Sequence, residues 1–361
     1  GTGVSAINMV PVHPTAYING RDVNSLHVAE FDIDAIDNST INATAGSAAL
    51  AASLAPKGAG ALSISGAVAR NEINNEVFAY MTNIGSASQP AYFSSNSSID
   101  ATETASIEST AIAATLAVGI GKAGIALSGA GADSVNIVNN DVRGYMDNVS
   151  LQASEATTDL LIDAYSDSTI RSLTGAVAAA ISGGKGAVSG AIGVSLARNF
   201  IGYENAADTV RNAGVRAYVN NSSLSGIHDL IIDASVKDRV RTESFSGSVA
   251  LAVGIGAGLA GAGAEATTKI GTVVDAHVQN TSITALNDIT ITAKGDSKIT
   301  DALAVGVAVA AGAGGLSVGV SIVDSNISNQ INAYIQNTSG KSVTADNNVT
   351  CLLYTSDAAD E

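Results

Sequence analysis

The chain has no tryptophan, one cysteine, four prolines and five phenylalanines in 361 residues. A single thiol, Cys351, excludes an internal disulfide and any cysteine-built metal centre. With so few large aromatics, the apolar content falls to Ala, Val and Ile, which suit closely spaced sheets around a narrow interior. Basic residues are also scarce. There are 17 Lys and Arg against 33 Asp and Glu, a net charge of −16. Such a surface repels phosphate backbones, so nucleic acid is not an expected partner. The same charge keeps an apolar-rich chain in solution and attracts divalent cations. Histidines are four, His13, His27, His228 and His277, and no two stand at ligand spacing. The serines lie in low-complexity stretches without a nucleophile elbow. No catalytic constellation is expected.

What the chain does have is a phrase that recurs six times: small, aromatic, aliphatic, polar, Asn. It is found at Ala16-Tyr17-Ile18-Asn19, Ala79-Tyr80-Met81, Gly144-Tyr145-Met146, Ala217-Tyr218-Val219, Ala276-His277-Val278 and Ala333-Tyr334-Ile335. Successive copies lie 63, 65, 73, 59 and 57 residues apart. Self-similarity at such a period predicts one elongated repeat array over residues 1–350, with units starting near 16, 79, 144, 217, 276 and 333. His277 stands where other copies have tyrosine, which marks it as a packing or surface substitute.

Each unit also carries an aliphatic run ending in Asp-Ala or Thr-Ala, at Asp34, Asp100, Asp163, Asp233 and Thr292. Seven residues on there is always an aliphatic residue: Ile41, Ile107, Ile170, Val240 and Ile299. That constant offset predicts an inward-facing column. Ile289–Ala293 alternates apolar and polar, the period of a half-buried strand. Asn83, Asn148, Asn221, Asn280 and Asn337 fall at corresponding turns, where Asn tolerates left-handed backbone angles.

The last third of each unit is two Ala/Val/Gly runs around a glycine-rich centre, as in Gly175–Leu196 and Ala302–Val323. Three centres hold a lysine: Lys57, Lys122 and Lys185. The runs read as a hairpin or a tight corner between strands. Membrane spanning is not expected, because the runs are broken by Gly and Ser, poor in Leu and Phe, and carry mid-run lysines without basic flanks. Helix is disfavoured by interior glycines, and a phosphate-binding loop by the absence of a Lys-Ser/Thr follow-up.

Asp34, Asp100, Asp163 and Asp233 share one repeat position. Further acids follow at Asp37, Glu103, Asp167, Asp238 and Asp296. If they stack, carboxylates could share Ca²⁺, which takes six to eight oxygens. The alternative is a solvated strand edge whose charges discourage edge pairing. No calcium-loop signature accompanies them, and no other cofactor is expected.

The order Ala-Tyr-Ile-x-Asn-Ser/Thr, then Asp-Ile-Thr-Ile-Thr-Ala and an Ala/Val/Gly run, resembles the repeats of large bacterial filamentous adhesins of the haemagglutinin and leukotoxin-like type. The resemblance implies secretion to the extracellular space or cell surface, an all-β solenoid such as a right-handed parallel β-helix, and attachment to a host or environmental carbohydrate or protein surface. It brings no catalytic residues. The other function considered is a carbohydrate-active β-helix enzyme of the polysaccharide lyase or hydrolase type, which needs acids and bases gathered in one cleft. The chain is read as a fragment. Residues 351–361 break the repeat, resemble a translated sequencing-adapter sequence, and are expected to lie outside the fold. The sequence leaves open whether a unit holds two or three ordinary rungs or one wide rung.

Overall fold

A computed structural model describes residues 1–20, 26–203 and 213–359. Among them there is strand and turn but no helix. Every strand pairing among the described residues is parallel, and the strands of each unit pair with their counterparts in the next. Leu160–Ile201 pairs with Leu230–Ile270 on one side and with Ser97–Ile120 and Gly124–Val138 on the other. The fold is therefore a parallel β-solenoid with one wide layer per unit. A repeat length of several tens of residues is used by making the layer long, not by winding it more than once.

One layer can be followed through its second copy. Ser97–Ile120 runs out, the chain turns at 121–123, and Gly124–Val138 runs back. Asp141–Ala153 then closes the base around the turn at Asn148. The backbones of the outgoing and returning strands do not pair with one another, although side chains meet across the arch at Ser109–Ser134 and Thr115–Ser128. Each bonds to its counterparts in the layers above and below. Of the two sequence readings of the glycine-rich runs, the corner is adopted: the lysine-bearing centres are the tips of flat arches. Gly184 shows why glycine is needed there. Its φ is +137°, and a Cβ on it would lie 1.9 Å from the Gly121 carbonyl oxygen.

The interior changes along the layer. At the base, three sheets enclose a core of Ile, Leu, Val, Met and Phe, including Ile99, Met146, Leu151 and Ile162. Next comes the expected aliphatic column. Ile41, Ile107, Ile170, Val240 and Ile299 are register partners and all are buried, packed against Ile73, Val138, Ile201 and Ile270. Beyond it the arch narrows to a fin filled almost entirely by alanine, such as Ala113, Ala178 and Ala191. The two sheets come so close that a Cβ on Gly193 would stand 2.6 Å from the Gly247 carbonyl oxygen.

The six phrases occupy equivalent places, with Tyr17, Tyr80, Tyr145, Tyr218, His277 and Tyr334 at one register position. The Asn turns follow the same rule. Asn83, Asn148, Asn221 and Asn280 have φ between 50° and 57°, the left-handed region the sequence predicts. Asn148→Ala is expected to lower stability by about 1 kcal/mol, and Asn148→Gly by less, because glycine adopts that angle without Cβ strain. Denaturant melts of the two variants check the order.

Residues 349–359 form a strand in register with Ile289–Ile299. The expectation that 351–361 lies outside the fold meets a backbone that pairs, which the open edge of a sheet permits for almost any sequence. Cys351, Leu353 and Tyr354 are exposed. Asp360 and Glu361 lie outside the described residues.

Candidate functional site

The aromatic column runs through six successive layers. Its rings stack face to face, with centroids 5.2, 4.8, 4.8, 5.0 and 4.9 Å apart from Tyr17 to Tyr334. In-register parallel strands about 4.8 Å apart impose that spacing. His277 keeps the ladder unbroken and is itself buried, with Nδ1 3.1 Å from Asp275 Oδ1. Because the ring faces cover one another, only edges and hydroxyls reach solvent. A sugar that binds by stacking on a ring face finds none free within the column. Burial, then the neighbouring phenols, raises Tyr145 to about 12, so this phenol stays uncharged at neutral pH. Tyr145→Ala should open a gap and cost about 2 kcal/mol, whereas Tyr145→His should be tolerated as it is at 277. Thermal melts of both variants give the comparison.

The candidate aspartates are also brought together. Asp34, Asp100, Asp163 and Asp233 are register partners on four successive layers, and Thr292 continues the row. They face outward on the sheet opposite the tyrosines. Desolvation, then Asp100 and Asp233, raises the Asp163 carboxyl to about 7, and desolvation with Asp100 and Asp32 raises Asp34. Lys294 Nζ donates to Asp233 Oδ2 at 3.0 Å and neutralises one end.

The following acids do not extend this column as one group. Strand parity divides them. Asp167 and Asp296 lie an even number of residues beyond it and share its face. Asp37, Glu103 and Asp238 lie an odd number beyond and point into the solenoid. There they form a buried polar layer. Asn75 Nδ2 donates to Asp37 Oδ2 at 2.6 Å, Asn140 Nδ2 to Glu103 Oε1 at 2.5 Å, and Ser166 Oγ to Glu103 Oε2 at 2.6 Å. Thr272 and Ser297 donate to Asp238 Oδ2. Burial pushes Glu103 up to about 8 and Asp238 up to about 7, against the opposing effect of those donors. These inward acids cannot share an ion with the outward column.

Among the described residues one group has three metal-ligating side chains in mutual reach: Asp159, His228 and Asp229. Its geometry is explained by the corner it occupies. Asn96 Oδ1 accepts from Asp159 N, Asp159 Oδ1 from Asp229 N, Asp229 Oδ1 from Asp288 N, and Asp288 Oδ1 from Asn348 N, at 2.8–3.1 Å. Each side chain clips its own layer to the next. His228 Nδ1 adds a contact to Asp159 Oδ1 at 3.0 Å. Sequence reading missed this ladder, although an Asn or Asp directly before every Ser/Leu/Ile-led outgoing strand was there to find. A second clip, buried from Asn71 inward and half-buried at Asn8, runs Asn8–Asn71–Asn136–Asn199 with amide-to-amide distances of 2.7–2.8 Å.

A shallow groove of about 610 Å³ at the foot of the fin is lined by Glu108, Arg171, Arg239 and Arg241. Arg239 is paired with Asp296, and Arg241 with Glu243 and Asp301. Asp296, Glu243 and Asp301 beside these arginines are thus held in ion pairs.

The fold and these ladders define a parallel β-solenoid whose polar side chains mainly join one layer to the next. Comparison with protein-family models, with curated proteins and with solved structures finds no match.

Proposed function

We propose that the chain is a structural and adhesive segment of a bacterial protein displayed at the cell surface or secreted. The observation that carries this reading is the use made of its chemistry. The aromatic column and the two asparagine and aspartate ladders each repeat from layer to layer and join the layers. Such a body supplies length and a long repeated surface, which is what attachment requires. The resemblance of the repeat phrases to filamentous adhesins points the same way and supports an extracellular setting with a host or environmental surface as partner.

The test has two arms. Antibody raised to the chain should label intact, unpermeabilised producing cells, and the purified chain should retain cells or matrix on a coated surface in a dose-dependent way. The carbohydrate-active alternative would instead place chemistry in the Glu108–Arg171–Arg241 groove. Release of new reducing or unsaturated ends from anionic polysaccharides, lost in Arg171→Ala, would decide for it.

A further inference from the structure

The fin is inside out. Its interior faces hold Ala, Gly, Ser and Thr, while its larger side chains point to solvent. Leu50 and Ile255 are each 73% exposed, and Leu62 and Ile192 are each 61% exposed. Both outer faces share this pattern: Ile112, Val177 and Val249 on the outgoing sheet, and Leu62, Leu127 and Leu259 on the returning one. Monomeric proteins rarely expose apolar patches of such extent. The interior gives little in return, since alanine buries little area and the hydroxyls of Ser63, Thr174, Ser182, Ser189, Ser246 and Ser248 are buried without partners. A fin of this kind calls for a cover.

Three observations say what the cover is. First, the fin carries almost no charge. Residues 109–132 contain only Lys122, 172–197 only Lys185, and 244–264 and 302–323 none. Each arm of that zone is about ten to thirteen residues, or roughly 30–40 Å at strand rise. The hydrocarbon core of a bilayer is about 30 Å. Second, the charges lie at the two ends of the zone. At its foot are Glu108, Arg171, Arg241 and Asp301 on one face and Asp133, Arg198 and Glu265 on the other. At its tip Lys57, Lys122 and Lys185 stand exposed on three successive layers, with no ion pair among the described residues. The column makes the tip locally cationic and complementary to anionic headgroups, although the chain as a whole carries a net charge of −16. Third, both faces are apolar together. A second copy seated on one face leaves the other bare and generates an open-ended stack, whereas lipid covers both at once.

We propose that the fin is a lipid-docking element that enters the apolar layer of an anionic membrane tip first, with the foot charges at the near headgroups and Lys57, Lys122 and Lys185 reaching the phosphate headgroups of the far leaflet. The features that argue against a membrane segment in the linear sequence are the ones the fold rearranges. Glycine and serine line the interior, the aliphatic residues line the outside, and the lysines sit at the tip, not in mid-span. Within the fin the backbone groups are bonded between layers, as an apolar medium demands, leaving only the outermost layers as edges. The chain enters and leaves on the same side, so this is insertion of an arch, not a crossing by a helix; among the described residues no helix is long and apolar enough for that. The inference goes beyond the surface-segment reading and stands without it, because vesicles test it directly.

The full chain is mixed with vesicles of phosphatidylcholine alone or with phosphatidylglycerol, at low and high salt, and binding is read by flotation. Leu127→Trp provides the single tryptophan of the chain, on an outward position of the fin and excited selectively at roughly 295 nm or above to avoid the tyrosines. The proposal expects flotation with the anionic vesicles, a blue shift of the tryptophan emission, and quenching by brominated acyl chains. The triple variant Lys57→Glu, Lys122→Glu, Lys185→Glu, with an unchanged β circular-dichroism spectrum, should bind anionic vesicles at least tenfold more weakly. Absence of wild-type binding at low salt would overturn the proposal. So would equal binding by the triple variant. A blue shift that grows with protein concentration without lipid, with the chain sedimenting as a multimer, would assign the faces to a second copy instead.

Discussion

Glu103→Gln is expected to raise the thermal midpoint by several degrees at pH 9 and to leave it near the wild-type value at pH 4.5. The carboxyl is buried between Asn140 and Ser166, and burial lifts it from 4.5 to about 8. Between those values the folded chain holds a proton that the unfolded chain has released. Stability therefore falls as pH rises from about 4.5 to about 8. Each tenfold change in proton affinity is worth roughly 1.4 kcal/mol, so the ionised residue costs at most on the order of 5 kcal/mol at pH 9. Glutamine has the shape of the protonated acid. Its oxygen accepts from Asn140 and its amide donates to Ser166, so it removes the cost without removing the bonds. Asp238, raised to about 7 by burial, adds to the same slope, as does Asp163 on the outer face. The wild-type midpoint should thus decline steadily from pH 5 to pH 9, and the Glu103→Gln curve should be flatter. A wild-type midpoint that rises over this interval would show the inward acids to be stabilised as carboxylates.

Ala178→Leu is expected to cost about 3 kcal/mol or to collapse the fin, while Val177→Ser next to it should change stability by less than about 0.5 kcal/mol. Ala178 is fully buried in the alanine seam, and Val177 is 54% exposed. Leucine has no space there, because two residues along the same seam a Cβ on Gly193 would already meet the backbone of Ala176 and Gly247. In an ordinary half-buried strand the valine position would be the sensitive one. Urea midpoints of the two variants give the order, and a larger loss for Val177→Ser would mean that the strand faces are reversed.

The sequence carried the repeat and its register plainly. A constant seven-residue step from Asp163 to Ile170 and from Asp100 to Ile107 could hold across copies only if those positions stacked, and they do. The left-handed Asn148 and Asn221 were legible because few other residues adopt that angle without strain. The arch was not legible. A run such as Gly175–Leu196 has bulky and small residues alternating, and the period alone does not say which set faces in. The close approach of two sheets decides it, and that is a property of the layer, not of the strand. The inward acids were misplaced for a related reason. Spacings of three, four or five residues look alike along a chain, but parity sends Glu103 and Asp167 to opposite faces. The corner ladder of Asn96, Asp159, Asp229, Asp288 and Asn348 escaped because its residues take no part in the alternating pattern.

One wide parallel layer per unit underlies every other statement, and a disulfide across two layers tests it most directly. Ser106 and Thr169 are register partners on adjacent layers, both on the outer face. At about 4.8 Å between strands their Cα atoms fall within the range a disulfide spans. In a Cys351→Ser background, Ser106→Cys with Thr169→Cys should cross-link under mild oxidation within the monomer. Ser106→Cys with Ser172→Cys, displaced along the strand and facing inward, should not. Cross-linking of both pairs alike, or of the second pair alone, would contradict the one-layer register.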